Sequence, residues 1–248
     1  MFKKENIVTT IVGFIVLLII GLGIYGSINK KSTETENEAT VFKTTTEKGF
    51  LMEEQPLIGK EGAKAELQLY FDYMCSHCAN WESTVLDEVQ ELIEENEEVA
   101  LRFINYQFLT MNSVYAGMGG EMVYEYAPEN FVTYSKSIFE KQINMNKEKI
   151  VKEIAKNIPT LTEEEIEKKI DAQEYMDHIL SDKEYGSLMG VQSTPTVMLN
   201  GEIIQGANEF KVIKTAVEKE LKKKEENVKE NETKEEVKEE EKKEEKGE

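Results

Sequence analysis

Leu67-Gln68-Leu69-Tyr70-Phe71-Asp72-Tyr73-Met74-Cys75-Ser76-His77-Cys78-Ala79-Asn80-Trp81-Glu82 contains the chain's two cysteines, three residues apart. Leu67, Leu69 and Phe71 alternate with Gln68, Tyr70 and Asp72, the period-two pattern of a core strand. After the cysteines, Trp81, Val85, Leu86, Val89, Leu92 and Ile93 recur at helical spacing as far as Asn96. The pair therefore sits where a strand feeds a helix. At a helix start the unpaired amides and the positive end of the dipole favour a thiolate over a thiol. The thiolate is the species that attacks disulfides, so Cys75 and Cys78 read as a redox pair. His77 between them can add positive charge or a hydrogen bond to the sulfur. A structural zinc site takes four Cys or His ligands, and the chain offers two Cys, His77 and the distant His178, so no metal site is expected. A bridge over two intervening residues closes too small a loop to staple a domain.

Working outward, Val99, Leu101 and Phe103 form a second strand, giving a β-α-β unit with a parallel pair and a right-handed crossover. From Asn112 to about Asp182 there is no strand-like run, only helical candidates at Ser113–Tyr126, Asn130–Ile143, Lys147–Ile158 and Thr162–Leu180. Pro128 and Pro159 punctuate them, and Thr162 with Glu163, Glu164 and Glu165 has the composition of a helix start. The Met and Tyr residues of this block, and Trp81 before it, read as packing residues. Thr196-Val197-Met198-Leu199 and Ile203-Ile204 then flank Asn200-Gly201, which predicts a hairpin with a type I′ turn. Asn208 can cap a last helix carrying Phe210, Ile213, Val217 and Leu221 on one face.

The ends differ from this core. Ile7 to Ile28 is almost wholly apolar, long enough to cross a hydrocarbon core of about 30 Å, and lacks an A-x-A-like cleavage site. It reads as an uncleaved signal anchor, and the long C-terminal part favours an extracytoplasmic orientation although the flanking lysines are nearly balanced. Residues 1–30 are thus expected to be the anchor, 31–50 a tether, 51–222 the folded domain with its helical insertion at about 112–182, and 223–248 a disordered Glu/Lys tail. Its part from Glu225 to Glu248 holds roughly a third of the formal net charge of −19. An acidic chain without a basic, aromatic-bearing patch excludes nucleic acid as a partner.

The order β-α-β, helical block, β-β-α resembles the DsbA-like branch of the thioredoxin superfamily, in its membrane-anchored Gram-positive form. The resemblance spans roughly Pro56 to Leu221. It rests on Pro56-Leu57-Ile58-Gly59 as the lead-in, on Phe71 to Cys78 as the active-site segment, and on Met189-Gly190-Val191-Gln192-Ser193-Thr194-Pro195-Thr196 followed by Asn200-Gly201. It implies an α/β thioredoxin fold with an inserted all-helical domain, preceded here by a transmembrane helix. It also implies that Pro195 is cis and faces the cysteines, and that Thr194, with Ser76, contacts an extended substrate. Two residues depart from the family pattern: Ser76 stands where proline is common, and Leu69 where many members carry an acid. Asp72 is then the candidate proton shuttle for the second thiol, with an ordinary strand-end carboxylate as its rival reading.

The function implied is a thiol:disulfide oxidoreductase that introduces disulfides into exported proteins, with Cys75, Cys78, His77 and Pro195 as catalytic residues and no cofactor. Its partners would be unfolded or reduced exported proteins, with a quinone-linked membrane oxidase or small oxidants to restore the disulfide. A membrane-tethered reductase or isomerase would use the same dithiol at a lower reduction potential. A non-catalytic tethered holdase would leave the cysteines unexplained.

Overall fold

A computed structural model describes residues 49–226. The apolar segment 7–28, most of the tether and most of the acidic tail lie outside those residues. No helix among the described residues is long and apolar enough to cross a membrane.

Five strands form one sheet in the order β1-β3-β2-β4-β5. β2 (Ala65–Phe71) lies at its centre and pairs in parallel with β3 (Val99–Asn105), from Ala65 opposite Val99 to Phe71 opposite Asn105. β4 (Thr196–Leu199) runs antiparallel to β2 on the other side, with Tyr70 opposite Thr196, and β5 (Glu202–Ile203) closes that edge. The turn between them has φ +50° at Asn200 and +85° at Gly201, the type I′ geometry that Asn-Gly predicts. Asn200 has a second role, its side chain accepting from Glu66 N (3.0 Å) and donating to Lys64 O (3.0 Å), which pins the hairpin to β2. β1 (Leu57–Gly59), antiparallel to β3, was read from sequence only as a lead-in, because three residues are too few to show a period.

The alternation along β2 suggests one dry face and one wetter one, but the strand is buried on both. Leu67, Leu69 and Phe71 enter the main core with Trp81, Val85, Leu86 and Val89. Tyr70 packs with Ile104, Val191 and Met198 in a second cluster that Phe50, Tyr106 and Tyr185 cover. A parallel strand covered on both faces is the usual outcome when helices lie on each side.

The redox helix runs as α1 (Ser76–Trp81), a π-helical turn at Glu82–Leu86, and α2 (Asp87–Glu95). The wider turn lets neighbouring Val85 and Leu86 both face the core. The block between β3 and β4 is all helical: α3 (Met111–Tyr126), α4 (Phe131–Lys141), α5 (Lys147–Asn157), α6 (Glu163–Asp171) and α7 (Met176–Leu188). Thr162 and Glu165 close a reciprocal capping box at the start of α6. The single helix expected over Thr162–Leu180 is two, broken at residues 172–175 with Gln173 at φ +56°, and the second continues to Leu188. Neither Gly nor Pro marks that break. α3 approaches its neighbours closely at Gly119, where a Cβ would meet Ile154 Cδ1 at 2.7 Å. The last helix, α8, occupies residues 210–226 and buries Ile213 and Val217. Its first carbonyl acceptor is Glu209, so it begins one residue after the position that Asn208 would cap.

Candidate active site

The sheet brings the two sequence signatures together. Thr196 lies opposite Tyr70 in an antiparallel pair, so the residues before Thr196 must run beside those after Phe71. The Thr194–Pro195 peptide is cis, and Thr196 Oγ1 donates to Ser193 O (2.7 Å) to close that turn. Cys75 Sγ donates to Thr194 O at 3.3 Å. Cys75 is the N-cap of α1 in extended conformation, and its carbonyl accepts from Cys78 N and Ala79 N (both 3.1 Å). Both cysteines are thiols.

The environments of the two sulfurs push them apart. The Cys78 thiol donates to Cys75 and outweighs the burial that opposes ionisation. The Thr194 side chain and the backbone N–H groups of Cys78 and His77 add to it, bringing the Cys75 pKa down to about 5. Burial pushes the Cys78 thiol far up, and its bond to Cys75 pushes the same way, against a smaller contribution from the Asp72 backbone. The sequence suggests His77 as a charge or hydrogen-bond donor to the sulfur. Its contribution in the structure comes from the main chain, and the residue itself is exposed, as is Ser76.

Asp72 is fully buried, and its carboxylate holds two segments at once. Oδ1 accepts from Met74 N (2.8 Å), and Oδ2 accepts from Phe108 N (2.8 Å) and Leu109 N (3.0 Å). Gln107, which sequence reasoning did not single out, accepts from Tyr73 N (3.1 Å) and donates to Asn105 (2.8 Å). Beyond them Glu121 meets His178 at 2.6 Å beside Asp182, whose carboxyl is held well above the usual range by burial and by the Glu121 charge. A polar residue ending a strand, as Asn105 does, was the only signal for this network.

An open groove of ≈ 870 Å³ runs from His77 past Thr194 and Pro195 to Ile203 and Asn208. None of its lining residues is Asp, Glu, Lys or Arg, in a chain of net charge −19. Such a lining offers hydrogen bonds and apolar contacts rather than acidic or basic side chains.

The measurable consequence is a split in thiol reactivity. Iodoacetamide should alkylate Cys75 in the reduced chain with a midpoint near pH 5, while Cys78 stays unmodified. The folded pKa lies below the unfolded value of about 8.5, so the thiolate stabilises the reduced fold fully above that pH. The contribution fades as pH falls through about 5. Equal labelling of both cysteines with a midpoint near 8.5 would contradict the geometry.

Comparison with known proteins places this geometry. The family model described as Thioredoxin matches residues 52–219. The probable disulfide bond formation protein D of Bacillus anthracis is 28% identical over 213 residues, covering 84% of this chain and 92% of that protein. Disulfide bond formation protein D of Bacillus subtilis is 26% identical over 174 residues, covering 68% and 78%. Among solved structures, oxidised BdbD from Bacillus subtilis superposes with a TM-score of 0.63 at 24% identity, over 73% of this chain and all of that one. DsbA of Chlamydia trachomatis gives 0.61 at 20% identity, over 71% and 96%.

Proposed function

Because the chain belongs to the thioredoxin family and is a DsbA-like thiol:disulfide oxidoreductase that introduces disulfides, we propose that Cys75 and Cys78 carry the exchange on exported proteins outside the cytoplasm. The observation behind this assignment is the placing of Cys75 at the N-cap of α1 against the Thr194 carbonyl, with Cys78 buried behind it. In the oxidised enzyme a substrate thiolate attacks Cys75 Sγ, forming a mixed disulfide and breaking the Cys75–Cys78 bond. Cys78 leaves and takes up a proton. A second substrate thiolate then attacks the substrate sulfur of the mixed disulfide, and Cys75 departs as a thiolate. The substrate gains one disulfide and the enzyme takes up its two electrons. A low pKa makes Cys75 a good leaving group and stabilises the reduced enzyme, which makes its disulfide oxidising.

Pro195 and Thr194 form the wall beside Cys75, and Ser76 the exposed edge at which substrate arrives. Asp72 is assigned to holding the catalytic turn, since both of its oxygens are engaged by amides. The apolar segment 7–28 supports an anchor that keeps the domain at the membrane's outer face, with residues 31–50 as tether and 223–248 as a solvated tail. A membrane oxidase linked to quinone would there return the dithiol to the disulfide.

Equilibrating the full-length chain with glutathione tests the direction of exchange. The expected reduction potential lies clearly above the roughly −270 mV of thioredoxin. A value at or below that level would make the chain a reductase.

A further inference from the structure

The helical insertion reaches into the catalytic turn through one side chain. Gln142 opens the 3₁₀ turn Gln142–Asn144 that follows α4. Its Nε2 donates to the main-chain oxygens of Tyr73 (3.1 Å) and Cys75 (3.3 Å). An amide nitrogen has two N–H bonds, and both are spent on this turn. The turn that carries Gln142 is itself fastened, with Asn112 Nδ2 donating to Met145 O (3.0 Å) and Lys149 Nζ to Asn144 O (2.7 Å). Its next residue, Ile143, is 93% exposed, so apolar burial does not hold the turn there.

We infer that Gln142 is a positioning residue for Cys75, tuning its thiolate from the helical insertion. The effect is electrostatic. The Tyr73 and Cys75 carbonyls belong to the turn that carries the sulfur and bear partial negative charge, and a donor bound to both offsets it. Without the amide that offset is lost, and the thiol gains over the thiolate.

The inference rests on Cys75 being the reactive thiol, and the experiment separates the two. In full-length Gln142→Ala, the pH profile of Cys75 alkylation should move up by about 0.5–1 unit, a three- to tenfold loss of thiolate below its pKa. The equilibrium with glutathione should shift by a similar factor toward a weaker oxidant. Gln142→Glu places a carboxylate against two carbonyls, and should raise the Cys75 pKa further at neutral pH. Gln142→Lys restores donors and adds positive charge, and should return the pKa to the wild-type value or below it. If the alanine variant does not fold, the opposite signs expected for glutamate and lysine decide alone. Variants that lose thermal stability yet keep the wild-type profile and potential would overturn the inference, leaving a purely structural bond. An ordinary thiol pKa for Cys75 in the wild-type chain would instead overturn the assignment beneath it.

Discussion

Cys78→Ser should turn the chain into a trap that accumulates mixed disulfides with client proteins, whereas Cys75→Ser accumulates none and both lose net disulfide formation. Cys75 retains 8% of its surface and Cys78 only 2%, so a protein-sized disulfide reaches the first sulfur and not the second. In the serine variant the Cys75 thiolate still attacks a client disulfide and expels one client sulfur as a thiolate. The enzyme then has no second thiol to resolve the new bond from its own side, so the adduct outlives that of the wild type and is released only by the client's expelled thiolate or an external thiol. In Cys75→Ser the remaining Cys78 is buried, and its thiol is held far from ionisation by that burial. Acid-quenched extracts run without reductant would display the adducts. Complexes found with Cys75→Ser alone would reverse the roles of the two sulfurs.

Asp72→Ala should cost about 3–5 kcal/mol of stability, because it orphans three backbone N–H groups at about 1–3 kcal/mol each, reduced by relaxation of the loop. The carboxylate is 0% exposed, and each of its partners is main chain that has no other acceptor recorded. Asp72→Asn retains one acceptor oxygen but turns an NH₂ toward N–H donors, so most of the loss should persist. Denaturant unfolding of the full-length variants reads this directly. A proton shuttle makes the opposite forecast: normal stability in Asp72→Asn, with an altered pH dependence of the exchange step. That result would remove the positioning role.

The features legible in sequence are those whose cause is local. A strand period, two cysteines at a helix start and Asn-Gly between apolar runs each state their geometry within a few residues, and all three appear where expected. Thr194-Pro195 gained its meaning by resemblance, since Thr-Pro before a strand has no chemistry of its own. What escaped has distant causes. Asp72 admits two readings because its partners at Phe108 and Leu109 lie 36 and 37 residues away. Gln107 and Gln142 reach the same turn across 34 and 69 residues, and a lone glutamine leaves no periodic trace. The burial of the second face of β2 has no local sign either, since tyrosine and glutamine look solvent-tolerant and the cover over Tyr70 comes from residues as far apart as Phe50 and Tyr185.

The contact between Cys75 Sγ and Thr194 O joins residues 119 apart in the chain. During synthesis the two cysteines emerge first, and their wall arrives only after the whole helical insertion. Contacts so distant in sequence form late, because loop closure must precede them. Until then Cys75 and Cys78 are an ordinary open dithiol, exposed to any oxidant or to another chain's cysteine. A chain at that stage carries two accessible thiols, as any reduced protein does. Having only these two cysteines in 248 residues limits the hazard. Whatever closes between them within one chain is the bond the folded site is built to hold.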